Sequence, residues 1–176
     1  MNNKERIIEL VKKINRKGVD KVLDYLETSN YFTRGCCGHH IGAGGLAQHS
    51  LEVYDSLCRC AGNYPLESVA VVALFHDLGK TRSADREHGQ HSIDILEECG
   101  FVLTEVERDA IAGHHNHSFV AKAYVSSKKT GNPQLAWLLS KCDMESTGSW
   151  KDKRGGNASR RAVMFSKLCR FFLSIS

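Results

Sequence analysis

Apolar residues recur every three or four positions along most of this chain, the spacing of one face of a helix. Ile7, Ile8, Val11 and Ile14 form such a stripe within 4–15, and a second helix is predicted over 18–28. Residues 31–45, YFTRGCCGHHIGAGG, break the pattern with glycine and cannot be a regular helix. Helical spacing returns from Leu46 to Cys60, and again after Pro65 through SVAVVALFHDLGK. Residues 88–99 read as a helix that stops near Gly100. Thr104 and Glu107 make a T-x-x-E capping box ahead of ERDAIAGHH. Asn132 and Pro133 read as a cap and first helical position for NPQLAWLLSKCDMES. AVMFSKLCRFFLSI, 162–175, is a predicted last helix packing on the rest, too short to span a bilayer. Period-two alternation is nearly absent. The expectation is an all-α helical bundle, one domain over 1–176, with N-terminal helices in 1–30, a central unit in 39–147 and a C-terminal helix and loop in 148–176.

Composition narrows this picture. A chain of 176 residues is long enough for one sizeable core. No apolar run reaches 18 residues, and MNNKERIIELVKKI is charged and amphipathic rather than a leader, so a cytoplasmic protein without a membrane role is expected. Seven cysteines without a regular framework favour reduced thiols. A net charge of +4 suits an anionic, phosphorylated ligand. Lys128, Lys129, Lys151, Lys153, Arg154, Arg160 and Arg161 cluster late, where a solvated face and a phosphate contact are both open readings.

The candidate chemistry lies in nine histidines, at 39, 40, 49, 76, 88, 91, 114, 115 and 117. His49 shares a stripe with Leu46, Val53 and Leu57. His76 follows Val72 by four and Val69 by seven. Ile111 precedes His114 and His115 by three and four, and Asp143 follows Leu139 by four. Four predicted helices thus turn an imidazole or a carboxylate toward apolar neighbours. Burying such groups costs several kcal/mol each unless they are paired, and a shared cation pairs them all. Imidazole and carboxylate together suit zinc, iron, manganese, cobalt or nickel, with magnesium open to the carboxylates, and the pattern does not choose among them. The lack of any Cys-x-x-Cys argues against a closed structural zinc site. Cys36-Cys37 and Cys58-x-Cys60 with His39 and His40 match no knuckle spacing.

The order His49 … His76-Asp77 … Asp143 resembles the HD superfamily of metal-dependent phosphohydrolases. GGLAQHSLEV, 44–53, is similar to the first-histidine helix of that family and FHDLGK, 75–80, to its histidine–aspartate doublet. EHGQHSIDIL, AIAGHH and KCDMES are similar to the segments with the further histidines and the last aspartate. The stretch HH before GGLAQH resembles exoribonuclease-type members. No GYP triplet follows, so the cyclic dinucleotide phosphodiesterases named for it are not implied.

The resemblance implies an all-helical fold with His49, His76, Asp77 and Asp143 around one metal. It implies His88 with His114 or His115 at a second, which of the pair being left open, with Asp77 bridging two divalent ions. The implied reaction is attack of metal-activated hydroxide on a phosphate mono- or diester. The implied partner is a phosphorylated small molecule, a nucleotide or a short single-stranded nucleic acid. Lys80 would hold a phosphate oxygen, or else cap the helix end beside Gly79. His115, among the 114, 115 and 117 histidines, would protonate the leaving oxygen. His40 and Arg82 would touch the substrate phosphate, with a loop histidine pair and a solvated loop as the plainer readings. Two other classes stay open: a nucleotide-sensing metal domain without turnover, and a di-iron oxygenase on the same scaffold.

Overall fold

The computed structural model describes residues 1–36, 40–132 and 134–147. Among these the fold is all-α: α1 (Asn3–Lys12), α2 (Val19–Thr28), α3 (Gly45–Cys60), α4 (Leu66–Phe75), α5 (His88–Glu98), α6 (Glu105–Gly113), α7 (His117–Thr130) and α8 (Leu135–Ser146). The helix expected over 162–175 and the basic residues from 151 to 161 lie outside the described residues. No described helix is long and apolar enough to cross a membrane.

The central element is α4. Its residues from Ser68 to Phe75 are all buried, which is what an all-round apolar helix requires. Around it α3 packs on α4 and α8, α6 on α4, α5 and α8, and α1 on α2, α3 and α4. Tyr31, fully buried, donates its hydroxyl to the Leu74 carbonyl at 2.9 Å and ties the segment after α2 to this centre.

Three boundaries differ from the sequence reading. The helix expected to run through FHDLGK ends at Phe75, with His76 as its cap. Asp77 then takes φ −104° and ψ 7°, and a tighter 3-10 turn spans Leu78–Thr81. Gly79 explains the close seat of that turn: a Cβ there would lie 2.1 Å from the His88 carbonyl oxygen on α5. The expected cap at Asn132 is displaced. α8 begins at Leu135, with Gln134 as N-cap, and the Gln134 amide donates to Ser127 Oγ at 2.7 Å. Finally, α7 was not foreseen. Its cap is Asn116, whose side chain accepts from the Phe119 amide at 3.1 Å, so HHNH is a helix end, a cap and a new helix start.

The described residues of the segment before α3 are held by backbone bonds. Gly44 and Leu46 amides donate to the Thr33 and Arg34 carbonyls at 3.2 and 3.0 Å, and the Cys36 amide to the His40 carbonyl at 2.6 Å. Gly45 permits this contact, since a Cβ there would meet the His40 carbonyl at 1.8 Å.

Candidate metal centre

Five elements deliver side chains to one buried point. α3 brings His49; the end of α4 brings His76, followed by Asp77; α5 begins with His88; α6 ends at His114 and His115; α8 brings Asp143. His49, His76 and Asp77 have no exposed surface, and Asp143, His88 and His114 are buried. His115 is half-buried.

Asp77 lies at the middle, with one oxygen toward each half. Its Oδ2 lies 3.4 Å from His49 Nε2 and 3.5 Å from His76 Nε2. Its Oδ1 lies 3.1 Å from His88 Nε2 and 3.6 Å from His114 Nε2. Asp143 Oδ1 is 3.1 Å from His49 Nε2, and Asp143 Oδ2 is 4.0 Å from His115 Nδ1. Two groups of donor atoms are thus compact enough for an ion: His49, His76 and Asp143, and Asp77, His88, His114 and His115.

The far side of each ring is held by oxygen. His76 Nδ1 faces the Ala73 carbonyl at 2.9 Å, His88 Nδ1 the Asp85 carbonyl at 2.6 Å, and His114 Nδ1 the Ile111 carbonyl at 2.6 Å. A carbonyl only accepts, so each Nδ1 carries the proton and each Nε2 turns a lone pair inward. His49 Nδ1 is 2.7 Å from Ser146 Oγ, and that hydroxyl donates to the Asp143 carbonyl at 3.0 Å. The network therefore gives His49 the same tautomer. Outer partners of this kind orient metal-binding imidazoles.

These lone pairs have nothing in the protein to receive. Asp77 Oδ1, His88 Nε2 and His114 Nε2 are fully buried and make no hydrogen bond. His49 Nε2 and His76 Nε2 lie 3.2 Å apart. Two nitrogens at about 2.05 Å from a tetrahedral ion would lie roughly 3.3 Å apart. The donor set fits divalent metal.

Charge tells the same story. Burial opposes charge on His49, yet bonds to Asp143 and Asp77 outweigh it and lift the imidazole to about 10. Complete burial drives His76 down to about 3, with Asp77 opposing. Burial would raise both carboxylates. For Asp77 the surrounding imidazoles and the Lys80 charge outweigh it, and for Asp143 the His49 bond and His115, so both stay well below the usual carboxylate range. The two carboxylates thus demand positive charge between them. A proton on His49 supplies it in part, and a divalent ion supplies it in full.

Other residues singled out in the sequence fall at varied distances. Lys80 is buried, and its Nζ donates to Asp77 Oδ2 at 2.5 Å. His40 is not an exposed loop residue: it is 2% exposed, its Nε2 is 3.0 Å from Glu52, and its ring centroid is 5.5 Å from that of His49. Arg82 does not reach the pocket. It makes a two-pronged pair with Glu98 on the surface and lies over the Tyr25 ring. His91 stands off, half-buried, 3.8 Å from Asp85. Cys36 was missed as part of the site, and so was Ser146. Cys36 Sγ lies 3.6 Å from Asp77 Oδ2; no spacing rule finds a loop thiol brought 41 residues along the chain. A serine three after a ligating aspartate on a helix was the available signal for Ser146.

Comparison with known proteins agrees with this geometry. The family model for the HD domain matches residues 46–148, more than half of the chain. No curated protein and no solved structure matches it.

Proposed function

Because the chain belongs to the HD domain family, we propose that it is a metal-dependent phosphohydrolase acting on a phosphate mono- or diester of a nucleotide or short nucleic acid. The observation that carries this reading is the trio of buried, unbonded atoms, Asp77 Oδ1, His88 Nε2 and His114 Nε2, converging on one point. A closed structural site would spend every donor on one ion. Here seven side chains, His49, His76, Asp77, His88, His114, His115 and Asp143, offer more donors than one tetrahedral ion takes.

Bound there, divalent ions supply a water of lowered pKa as nucleophile and neutralise charge on the phosphoryl oxygens. His49, His76, Asp77 and Asp143 would hold one ion, and His88, His114 and the other oxygen of Asp77 a second, which leaves His115 for proton transfer. Asp77 presents one oxygen to each set. Lys80, whose ammonium lies at the edge of the centre next to Asp77, would orient a phosphate oxygen as a point charge once an ion takes that carboxylate. His115, the ligand candidate with most access to solvent, delivers a proton to the leaving oxygen.

Metal analysis of the purified protein, together with a panel of nucleoside mono- and diesters and short oligonucleotides, tests the proposal. The expected result is bound divalent metal and hydrolysis of a phosphate ester, read as inorganic phosphate from a monoester or as a nucleotide monoester from a diester, both falling to background in Asp77→Asn and in His76→Ala. Retention of full activity in either variant would overturn the assignment. Oxygen uptake by the iron-loaded protein, with no ester of the panel hydrolysed, would replace hydrolysis with the oxygenase reading.

A further inference from the structure

The face of the pocket formed by His49 and Asp77 carries a third kind of donor. Cys36 Sγ, His49 and Asp77 offer atoms that all lie within 4.8 Å of one another. The thiol points at Asp77 Oδ2 from 3.6 Å. For a tetrahedral ion with sulfur at about 2.3 Å and oxygen at about 2.1 Å, that separation is roughly 3.6 Å. The loop position is also fixed. The Cys36 amide is bonded to the His40 carbonyl, and the preceding residues to the first turn of α3, the helix that carries His49. A thiol placed by chance in a loose loop would have no such bracing.

Lys80 marks the same point. Its ammonium sits 2.5 Å from Asp77 Oδ2 and 3.4 Å from Cys36 Sγ. One cation already bridges this oxygen and this sulfur, which shows that the pair is arranged around a positive charge.

We infer that Cys36 is a sulfur ligand of the metal centre, sharing an ion with His49 and Asp77. The inference rests on the metal-centre reading above. When a divalent ion takes Asp77 Oδ2 and Cys36 Sγ, the thiol proton leaves to solvent. The Lys80 ammonium is displaced, free to meet a phosphate oxygen. A thiolate also shifts the metal preference: it favours zinc, cobalt or ferrous iron over magnesium and manganese, which an oxygen and nitrogen set alone would admit.

Cobalt(II) added to the reduced, metal-free full chain reads this directly. The expected spectrum has visible bands of the bound ion plus a near-ultraviolet sulfur-to-cobalt charge-transfer band. Cys36→Ser should keep the visible bands, lose the charge-transfer band and bind cobalt at least about tenfold more weakly. Cys58→Ser, at an exposed cysteine of α3, should keep both. Visible bands without charge transfer in the wild type, or a charge-transfer band that survives Cys36→Ser, would overturn the inference and leave the metal centre standing. Failure of the wild type to bind cobalt at all would overturn the centre itself. Should Cys36→Ser fail to fold, alkylation of the wild type decides: bound cobalt must protect Cys36 and leave Cys58 reactive, and equal labelling of Cys36 with and without metal would overturn the claim.

Discussion

Two carboxylates among the described residues have no exposed surface, Glu107 and Asp77, and their surroundings differ in one respect. Glu107 is fully provided for. Its Oε2 accepts from Arg16 Nη1 at 2.6 Å and from the Thr104 amide at 2.9 Å, and its Oε1 accepts from Arg16 Nη2 at 2.8 Å. Arg16 in turn reaches Glu67 and lies over the Phe101 ring. Asp77 has Lys80 on one oxygen, but its other oxygen faces two imidazole nitrogens and makes no hydrogen bond. The first site is a joint: it clamps the link between α1 and α2 onto the start of α6, and it asks for nothing more. The second is a socket. Buried charge by itself does not distinguish structure from function; whether its partners are complete does.

Substitution should separate the two. Arg16→Met leaves the Glu107 charge buried without its partner, so urea unfolding should report a loss of about 3–5 kcal/mol, while metal content per folded molecule stays at the wild-type level. Burial would raise the Glu107 pKa, but Arg16, Ser68 and the Thr104 amide hold it below its ordinary 4.5. Its contribution is therefore present above that pH and fades as acid protonates the folded carboxyl. The gap between Arg16→Met and wild type should shrink below about pH 4.5. A gap that is constant with pH would mean the arginine acts through packing alone.

A smaller effect is expected from Ser146→Ala, which removes the oxygen that fixes the His49 ring. Metal affinity should fall by about 10–100-fold, the usual cost of losing an outer partner of a ligand. Melting of the metal-free protein should barely move. Equal losses in affinity and in metal-free stability would assign Ser146 to the joint-like class instead. The smallest effect belongs to Arg82→Ala. The pair with Glu98 is exposed, so unfolding should shift by about 0–1 kcal/mol, with KM for any phosphate substrate unchanged. A raised KM would return Arg82 to the substrate side.

Much of the bundle could be read from the chain because periodicity reports local burial. The Thr104–Glu107 box and the α3 stripe through His49 are local patterns, and the structure has both. The second role of Glu107 could not be read, because Arg16 lies 91 residues away. Asn116 could have been found: an asparagine after a run of histidines and three before a phenylalanine is a helix cap by ordinary rules. The histidines drew the eye to chemistry and hid the punctuation. The expectation of a helix running through Lys80 failed because helical spacing continues smoothly across His76, while the chain tightens there. Nothing in local spacing signals a change from four-residue to three-residue hydrogen bonds. Cys36 was illegible for the opposite reason. It belongs to no periodic element, and only the folded loop brings it to Asp77.

The missing side chain at residue 79 acts as a gauge block. The turn bearing Asp77 and the helix bearing His88 approach until the Gly79 backbone stops them. Ser92 Oγ fastens that approach, accepting from the Gly79 amide at 2.7 Å and lying 2.9 Å from the His76 and His88 carbonyls. Ordinary contact for a Cβ begins near 3.4 Å, against the 2.1 Å available here. Even alanine would thus push the helix back by more than coordination bonds forgive, which is about 0.2 Å. The spacing of the two halves of the socket is set by a single hydrogen atom, so any side chain at this position would shift the donor set and strain the packing of the turn on α5 together.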